Sequence, residues 1–431
     1  MKLTKDSKKL MMFFNKHKCL PHIKQTKSTN QIFKTLFHEL DEAVKYIESV
    51  KKQLGDSFYK LKINKIHSVS SIPKPSTFPS DSFPNLVRKH IDSHSLCSLE
   101  YSFELIGRPI HIIFLIEESN PEMHIDTYNN YVDHMLAWLY IVNQYASRDC
   151  ASKLSVFVYH TSLTKELPKN PIEILNQHHV NTAFTFSCPV NSEIVVFRKE
   201  EWFKVFMHET FHNFALDFSD MNNNKCHSKI LQLFPVKSDV NLYEAYTEFW
   251  ARIMNVVFCS YFNTRGKKKK NIDQYLVNVE TFMNFEIMYS FFQMIKVLHF
   301  MNLEYTQLYE SGANADNIRK TLYKEDTNVL SYYVITLILI YNFQPFLSWC
   351  SKNNTSLLQF KKSESNQMQF CAFIESKYTA PKLLNGIKCA SELFKKIKVF
   401  KGHSEVIKRP NTKKELEYLY NNLRMTLCEL G

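Results

Sequence analysis

The sequence predicts an α+β protein of two lobes, in which a mixed sheet and one central helix precede an all-helical C-terminal part. Between about residues 99 and 198, several short stretches alternate or run apolar, as β-strands do. From about residue 242 onward, nearly all apolar residues recur at helical spacing. The 431-residue chain is 45% hydrophobic and 22% charged, so it can bury a core, and full-length disorder is excluded.

We expect three regions along the chain. Residues 1–95 are predicted to form a helical N-terminal segment, because apolar residues recur at helical spacing from Asn30 to Leu54. This segment contains a linker rich in proline and serine at residues 71–84. Residues 96–220 are predicted to form the α/β lobe with the central helix, and residues 221–431 the helical C-terminal lobe.

The α/β lobe is expected to begin with a β-hairpin, because Leu99–Ile106 and Ile110–Ile116 flank the turn sequence Gly107-Arg108-Pro109. A long helix is expected to follow at Asp126–Ala146, where the apolar spacing is helical. The remaining elements are three short strands and the central helix, at Leu154–His160, Thr182–Ser187, Glu193–Arg198 and Lys199–Leu216.

The C-terminal lobe shows almost only helical periodicity. The spacing predicts helices near residues 242–260, 272–301, 327–348, 382–399 and 412–429. The most apolar stretch, Val334–Tyr341, is too short to span a bilayer and is expected to be a buried helix. We therefore expect no membrane partner.

The chain is basic, with a formal net charge of +12 that comes mainly from singly spaced lysines. Such a surface permits weak contact with nucleic acid or with acidic surfaces, although a solvated basic surface is the simpler interpretation. The one dense run, Arg265–Lys270, is expected to be an exposed loop between two helices. Only 7 glycines occur and no glycine-rich phosphate-binding pattern is present, which disfavours a nucleotide-binding loop.

The ten cysteines are scattered and form no CxxC pair, so we expect reduced, intracellular thiols. The N-terminal apolar run, Leu10–Phe14, is too short for the core of a signal peptide. These features predict an intracellular, cytoplasmic protein that is not secreted through a signal peptide.

The segment His208-Glu209-Thr210-Phe211-His212 carries the strongest chemical signal, an HExxH pattern within apolar, helix-compatible flanks. Two histidines four residues apart lie on one face of a helix, where both imidazoles can bind one Zn²⁺. Glu209 lies between them and could take a proton from a zinc-bound water as general base. The sequence therefore predicts a zinc site.

A catalytic zinc site needs a third protein ligand. Asp217 is expected to point away from the metal face of the helix. Glu244 and Glu248 again lie four residues apart, and therefore on one helical face. One of the two could bind the metal, and the other could accept the N–H of a ligand histidine.

These residues resemble the gluzincin branch of zinc metallopeptidases, over roughly residues 99–260. The third ligand of that family often stands in a pattern like E-G-x-[AT]-x-[YF]. The segment from Glu244 to Phe249 is similar, with Ala245 in place of the glycine. The resemblance implies a two-lobed zincin-like fold, with zinc bound by His208, His212 and Glu244, and with Glu248 supporting a ligand histidine.

The resemblance also implies a peptidase that acts on a peptide or protein substrate, with Glu209 as general base. A strand at the sheet edge would line the cleft and bind an extended peptide by strand addition. The candidates for this strand are Asn181, Thr182, Ala183 and Phe184. A tyrosine or histidine from the helical lobe would stabilise the oxyanion, and the candidates are Tyr332, Tyr333 and His299.

Two alternatives stay open. The first is a catalytically inactive zincin-like scaffold, against which the intact Glu209 argues. The second is a basic nucleic-acid-associated structural protein in which HExxH arises by chance. The scarcity of glycine and the heavy use of Lys, Asn, Ile, Phe and Tyr suit an AT-rich genome, such as that of a large DNA virus or a parasite. A viral origin would be compatible with packaging in the virion.

Overall fold

The computed structural model describes residues 3–264, 271–402 and 410–431. The predicted loop Arg265–Lys270 lies outside these residues. Within them the chain is α+β with a mixed six-stranded sheet, which confirms the predicted α+β class and the mixed sheet.

The first half of the chain contains the sheet. Its N-terminal region forms α1 (Lys5–Lys16), α2 (Lys27–Leu54), β1 (Lys62–Lys65) and α3 (Asn85–His94). The chain up to residue 220 then forms β2 (Cys97–Leu105), β3 (Arg108–Ile116), α4 (Ile125–Tyr145), β4 (Lys153–His160), β5 (Leu175–Asn176), α5 (Gln177–Val180), β6 (Ala183–Thr185), β7 (Asn191–Val196) and α6 (Trp202–Asn213). The predicted hairpin, long helix and strands are confirmed, whereas the central helix α6 ends at Asn213 rather than at Leu216.

The second half is helical except for one very short strand. It forms α7 (Asn224–Leu233), α8 (Leu242–Thr264), α9 (Ile272–Phe300), α10 (Ala313–Leu322), β8 (Glu325–Asp326), a π-helical turn (Leu330–Ile335), α11 (Thr336–Tyr341), α12 (Phe343–Asn353), α13 (Glu364–Glu375), α14 (Pro381–Gly402) and α15 (Pro410–Asn421). The prediction of an all-helical C-terminal part is therefore wrong at β8, which pairs in parallel with β5. The single helix predicted at 327–348 is broken at Asn342.

None of the described helices is, by itself, long and apolar enough to cross a membrane. Two consecutive helical segments, Leu330–Tyr341 and Phe343–Asn353, reach the length and apolar composition of a membrane span only when they are taken together. The chain bends by 91° between them.

The sheet separates a large core from a small one. Its strands lie in the order β1-β2-β3-β4-β7-β6, with β3, β4 and β7 parallel and the others antiparallel to their neighbours. Alternate residues of β3 face opposite sides, so that Phe114 joins the large helical core and Leu115 the small one. Ile72 and Phe83 cover the small core. The proline-rich stretch at 71–84 therefore packs against the sheet, and β1 of the same N-terminal segment pairs with β2.

Residues 422–428 and Leu430 are buried but not helical, so the helix predicted to reach residue 429 is wrong beyond Asn421. Buried carboxylates accept their backbone N–H groups instead. Glu201 Oε1 accepts from Met425 and Thr426, and Glu286 Oε1 accepts from Leu427 and Cys428. A helix would satisfy these N–H groups itself and would leave both carboxylates without these bonds inside the core, which is unfavourable.

The expectation that all cysteines are reduced is wrong for one pair, because Cys150 and Cys188 form a disulfide. The pairing follows from the sheet rather than from the spacing in the sequence. β4 and β7 are parallel neighbours, and the backbone N–H of Ala151 donates to Pro189 O just before both strands begin. The two cysteines, 38 residues apart in sequence, are thereby brought to a Cα–Cα distance of 4.4 Å.

We predict that Glu286→Ala lowers the free energy of unfolding by about 3–5 kcal/mol, because it removes the carboxylate that pairs with the buried Arg252 guanidinium and that accepts from two backbone N–H groups. Urea denaturation measures this change. Glu364→Ala is the matched control, because Glu364 forms an exposed ion pair with Lys225 and its loss is expected to change stability by about 0–1 kcal/mol. Equal changes in the free energy of unfolding would show that the Glu286 contacts contribute no more stability than a surface ion pair.

Candidate metal centre

Helix α6 is buried along its whole length, between the sheet and α8. Its apolar side chains, including Phe206 and Phe211, are fully buried in the large core. Trp138 of α4 donates from Nε1 to Thr210 Oγ1 at 2.8 Å, which fixes the middle of α6. Because α6 is fixed in this way, His208 and His212 project from a rigid helix.

Helix α8 brings a carboxylate to both histidines. Glu244 Oε2 lies 3.1 Å from His208 Nε2 and 3.5 Å from His212 Nε2. The two Nε2 atoms are 3.2 Å apart. Three potential ligand atoms therefore converge on one point, and this His208–His212–Glu244 group could hold a metal ion.

The spacing of these atoms can be compared with the ligand separations in two coordination geometries. A tetrahedral ion with bonds of 2.0–2.1 Å separates its ligands by about 3.3 Å. An octahedral ion with the same bonds separates neighbouring ligands by about 2.9 Å. The separations of 3.2 and 3.5 Å are closer to the tetrahedral value, and that of 3.1 Å lies midway between the two values. The spacing is therefore compatible with one ion held by all three residues.

Each ligand histidine has a carboxylate on its other ring nitrogen. His208 Nδ1 lies 3.1 Å from Glu248 Oε2, and His212 Nδ1 contacts Asp217 Oδ2. A carboxylate that accepts the Nδ1–H bond fixes the tautomer and leaves the Nε2 lone pair for the metal. The four-residue spacing of Glu244 and Glu248 thus places one carboxylate beside Nε2 of both rings and the other beside Nδ1 of His208.

Asp217 was missed as a supporting residue, because it was expected to point away from the metal face. It does not coordinate the metal position, but its carboxylate lies directly behind His212. The reason is that α6 ends at Asn213 and Ala215 takes a positive φ of 53°, so the chain turns back under the histidine. The signal in the sequence was only an aspartate shortly after the motif, which does not reveal where the helix ends.

Lys204 is a second residue that the sequence analysis missed. It lies one helical turn before His208, and its Nζ atom contacts both oxygens of Glu248 at 2.9 and 3.0 Å. Both side chains are nearly fully buried. Lys204 therefore neutralises and orients the carboxylate that supports His208.

Burial and the neighbouring charges shift the pKa values of the carboxylates and histidines of the site. Burial opposes ionisation of Glu248, but the nearby Lys204 ammonium outweighs it and lowers the pKa of Glu248 to about 2. Burial likewise opposes the charged form of both histidines, yet their carboxylate neighbours raise the pKa of His208 and of His212 above the ordinary value. Burial raises the pKa of Glu209. The site thus attracts positive charge, and Glu209 is the carboxylate most ready to carry a proton.

The three predicted oxyanion donors lie in different places. Tyr332, in the π-helical turn, donates from its hydroxyl to Glu244 Oε2 at 2.8 Å and is therefore at the site. Tyr333 is the next residue, and its hydroxyl donates away from the site to Leu423 O at 2.6 Å. His299 lies at the end of α9, where its Nε2 atom is 3.3 Å from Lys398 Nζ. Of the three, only Tyr332 contacts the group that could hold a metal ion.

A narrow cavity of about 30 Å³ adjoins His208, Glu209 and Tyr332. Asn181, Thr182 and Ala183 line it, at the start of the edge strand β6. Phe184, the fourth predicted substrate-binding residue, instead packs against Phe83 and Phe78 in the small core on the other side of the sheet. Strand alternation explains why Ala183 joins the large core and the next residue, Phe184, the small one.

No protein-family model, curated protein sequence or solved structure matches this chain. The interpretation of the site therefore depends on its own geometry and chemistry.

We predict that Asp217→Ala weakens metal binding by about 10–100-fold, because His212 loses the group that fixes its ring. Titration of the metal against a chelator of known affinity measures the change. Asp220→Ala is the matched control, since Asp220 lies three residues further on and only forms a surface ion pair with Lys362. Unchanged affinity in Asp217→Ala would show that this carboxylate does not support the metal.

Proposed function

We propose that the protein is a zinc-dependent peptidase. The observation that carries the proposal is the convergence of His208 Nε2, His212 Nε2 and Glu244 Oε2 within 3.5 Å of one another, beside the carboxylate of Glu209. Two neutral imidazoles and one carboxylate, with a fourth position open, form the ligand set typical of catalytic zinc. The two imidazole ligands favour zinc over magnesium or calcium, which prefer oxygen ligands.

When bound, zinc would supply a Lewis acid that polarises the scissile carbonyl and lowers the pKa of water. The protein's own residues would move the protons. Glu209 would accept a proton from the attacking water and pass it to the leaving amine as the C–N bond breaks. Burial raises the pKa of Glu209, and a higher pKa makes the carboxylate a stronger base.

Tyr332 would stabilise the negative charge that develops on the carbonyl oxygen. Its hydroxyl already lies within hydrogen-bonding distance of the ligand atom Glu244 Oε2, and therefore next to the metal position. Burial and the nearby Glu244 carboxylate hold the pKa of Tyr332 well above its ordinary value. The phenol therefore stays protonated and can donate a hydrogen bond to an oxyanion.

The edge strand supports a peptide as substrate. β6 is the last strand of the sheet and has a paired neighbour only on its β7 side among the described strands. An extended peptide can add to such an edge through backbone hydrogen bonds. This addition would place a substrate carbonyl over α6, where His208 and Glu209 lie.

A metal-holding scaffold without catalysis is the main alternative. Such a scaffold would need the three ligands and their supporting carboxylates. It would have no need of Glu209 or Tyr332 beside the metal. The presence of both residues beside the cavity supports the peptidase.

We predict that Glu209→Gln keeps about one zinc per chain and lowers peptide hydrolysis by about 10²–10⁴-fold, because it removes the general base and no ligand. Elemental mass spectrometry measures the zinc, and mass spectrometry of a digested peptide library measures the hydrolysis. His212→Ala and Glu244→Ala should lose or weaken zinc binding. Absence of zinc from the unmodified protein after reconstitution would refute the proposal.

Tyr332→Phe is predicted to lower kcat by about 10²–10³-fold and to leave zinc content and KM nearly unchanged, because the hydroxyl acts mainly in the transition state. Steady-state kinetics on any peptide found in the library checks this. Tyr333→Phe is an adjacent control, since its hydroxyl contacts Leu423 O instead of the site. Equal losses in the two variants would exclude a specific role for Tyr332.

A further inference from the structure

Helices α7 and α13 bring two further cysteines together. Cys226 is the third residue of α7 and Cys371 the eighth of α13, and their Sγ atoms lie 3.0 Å apart. Both side chains are buried, with exposed fractions of 1% and 0%. Since a covalent S–S bond is about 2.05 Å long, a shift of about 1 Å would join the two sulfurs.

Neither sulfur has a closer polar partner. The Cys226 thiol lies 3.9 Å from Gln367 O, and the Cys371 thiol lies 3.9 Å from Cys226 O. A structural zinc site would need four protein ligands. Among the described residues, the only group of three potential metal ligands is the His208–His212–Glu244 group, so the two cysteines do not belong to such a site.

The packing of α7 against α13 holds the two sulfurs opposite each other. Ion pairs join the helices before and after the cysteines, with Lys225 Nζ 2.6 Å from Glu364 Oε1 and Lys229 Nζ 2.8 Å from Glu375 Oε1. These surface pairs add little stability, but they show that the same two helix faces meet on both sides of the thiols. The thiols are therefore already oriented towards each other, and a bond between them needs little further ordering.

The chain already contains one disulfide, between Cys150 and Cys188. Its formation requires an oxidant, because two thiols must give up two electrons. An oxidant that is present while the chain folds can also reach Cys226 and Cys371, before α7 and α13 cover them.

Once the protein is folded, the Cys226 thiol resists exchange. The neighbouring Cys371 thiol and burial raise the pKa of Cys226 above its ordinary value, so the reactive thiolate is scarce. A bond between the two sulfurs is therefore expected to form during folding, and to be protected from reduction afterwards.

We propose that Cys226 and Cys371 form a second disulfide, which joins α7 to α13 as the protein folds. The oxidant is a small disulfide such as oxidised glutathione. The thiolate of one cysteine attacks it, and a mixed disulfide forms as one reduced glutathione leaves. The thiolate of the other cysteine then attacks the protein sulfur of the mixed disulfide, and a second reduced glutathione leaves. Two electrons and two protons thus pass from the cysteine pair to one oxidised glutathione.

This link would hold the segment that supports the metal centre. Residues 214–223 connect α6 to α7 and include Asp217, whose carboxylate contacts His212. The end of this segment already touches α13, because Gln367 Nε2 donates to Asn223 Oδ1 at 2.9 Å. A disulfide three residues beyond Asn223 would prevent α7 from separating from α13, and would thereby restrict the motion of the segment.

The test examines the full-length protein, synthesised in a cell-free system in which the concentration of oxidised glutathione is raised in steps. Free thiols are alkylated with N-ethylmaleimide in denaturant, and the protein is digested with trypsin without reduction. We expect mass spectrometry to find the peptide Cys226–Lys229 joined to the peptide Ser363–Lys377. The Cys150–Cys188 link in the same digest reports that the conditions are oxidising.

Three results would overturn the proposal. The first is alkylation of Cys226 and Cys371 at a concentration of oxidised glutathione where Cys150 and Cys188 are linked. The second is the absence of both links at every concentration. The third is linkage of Cys226 or Cys371 mainly to some other cysteine.

A second measurement tests what the link holds. Hydrogen–deuterium exchange of peptides that cover residues 214–223 is compared between the linked protein and the variant Cys226→Ser, which keeps Cys150 and Cys188. Exchange should be about tenfold or more slower in the linked protein, because a cross-link removes the open states in which α7 separates from α13. Equal exchange in the two proteins would refute this role of the link.

Cys350→Ser is the matched control. Cys350 is also fully buried, but its thiol contacts no other cysteine among the described residues, so this variant should form the link and exchange like the unmodified protein. If Cys226→Ser does not fold, unmodified protein synthesised without oxidised glutathione takes its place in the comparison.

Discussion

The structure depends on the burial of α6, a helix that carries charged side chains through the centre of the protein. All twelve of its residues are buried, among them Lys204, His208, Glu209 and His212. A charged group without a partner in such a position is strongly unfavourable, so the surrounding elements must supply partners. α8 supplies Glu244 and Glu248, and the turn after α6 supplies Asp217. These contacts therefore add to the apolar packing of α6 against α8.

The same constraint extends to the end of the chain. Glu201, directly before α6, is buried against Lys165, and it accepts two backbone N–H groups from the C-terminal tail. Glu286 of α9 pairs with Arg252 of α8 and accepts two more. The tail is thus bound to the helices around the site by carboxylates. Met425 reaches the wall of the cavity as a result, so the end of the sequence contributes to the site.

The parts of the site that could be predicted are those set by local periodicity. His208 and His212 share a helical face because they are four residues apart, and so do Glu244 and Glu248. The strands could be predicted because the apolar runs around Leu115, Tyr159 and Val195 are too short for helices and have turns between them. These features need no knowledge of the tertiary structure.

The parts that could not be predicted depend on where elements end or meet. Asp217 faces His212 only because α6 stops at Asn213 and the chain reverses at Ala215. The Cys150–Cys188 disulfide depends on the neighbouring positions of β4 and β7. Tyr332 and Tyr333 are equivalent in the sequence, and only the direction of the π-helical turn separates them.

The charge balance of the site explains why a divalent ion fits it. Four carboxylates, those of Glu209, Asp217, Glu244 and Glu248, surround the two histidines, and Lys204 is the ammonium group that contacts one of them. In the protein alone, this excess of negative charge raises the pKa of both histidines, so that each holds a proton more tightly than a free imidazole does. A divalent cation would provide two positive charges at the point where Nε2 of each ring and Glu244 Oε2 converge. It would therefore replace the protons of both rings, and the carboxylates behind the rings would keep their Nδ1–H bonds. The net charge of the site is the same with two protonated imidazoles as with two neutral imidazoles and one divalent ion, so such an ion could take the place of the two protons without adding charge to the core.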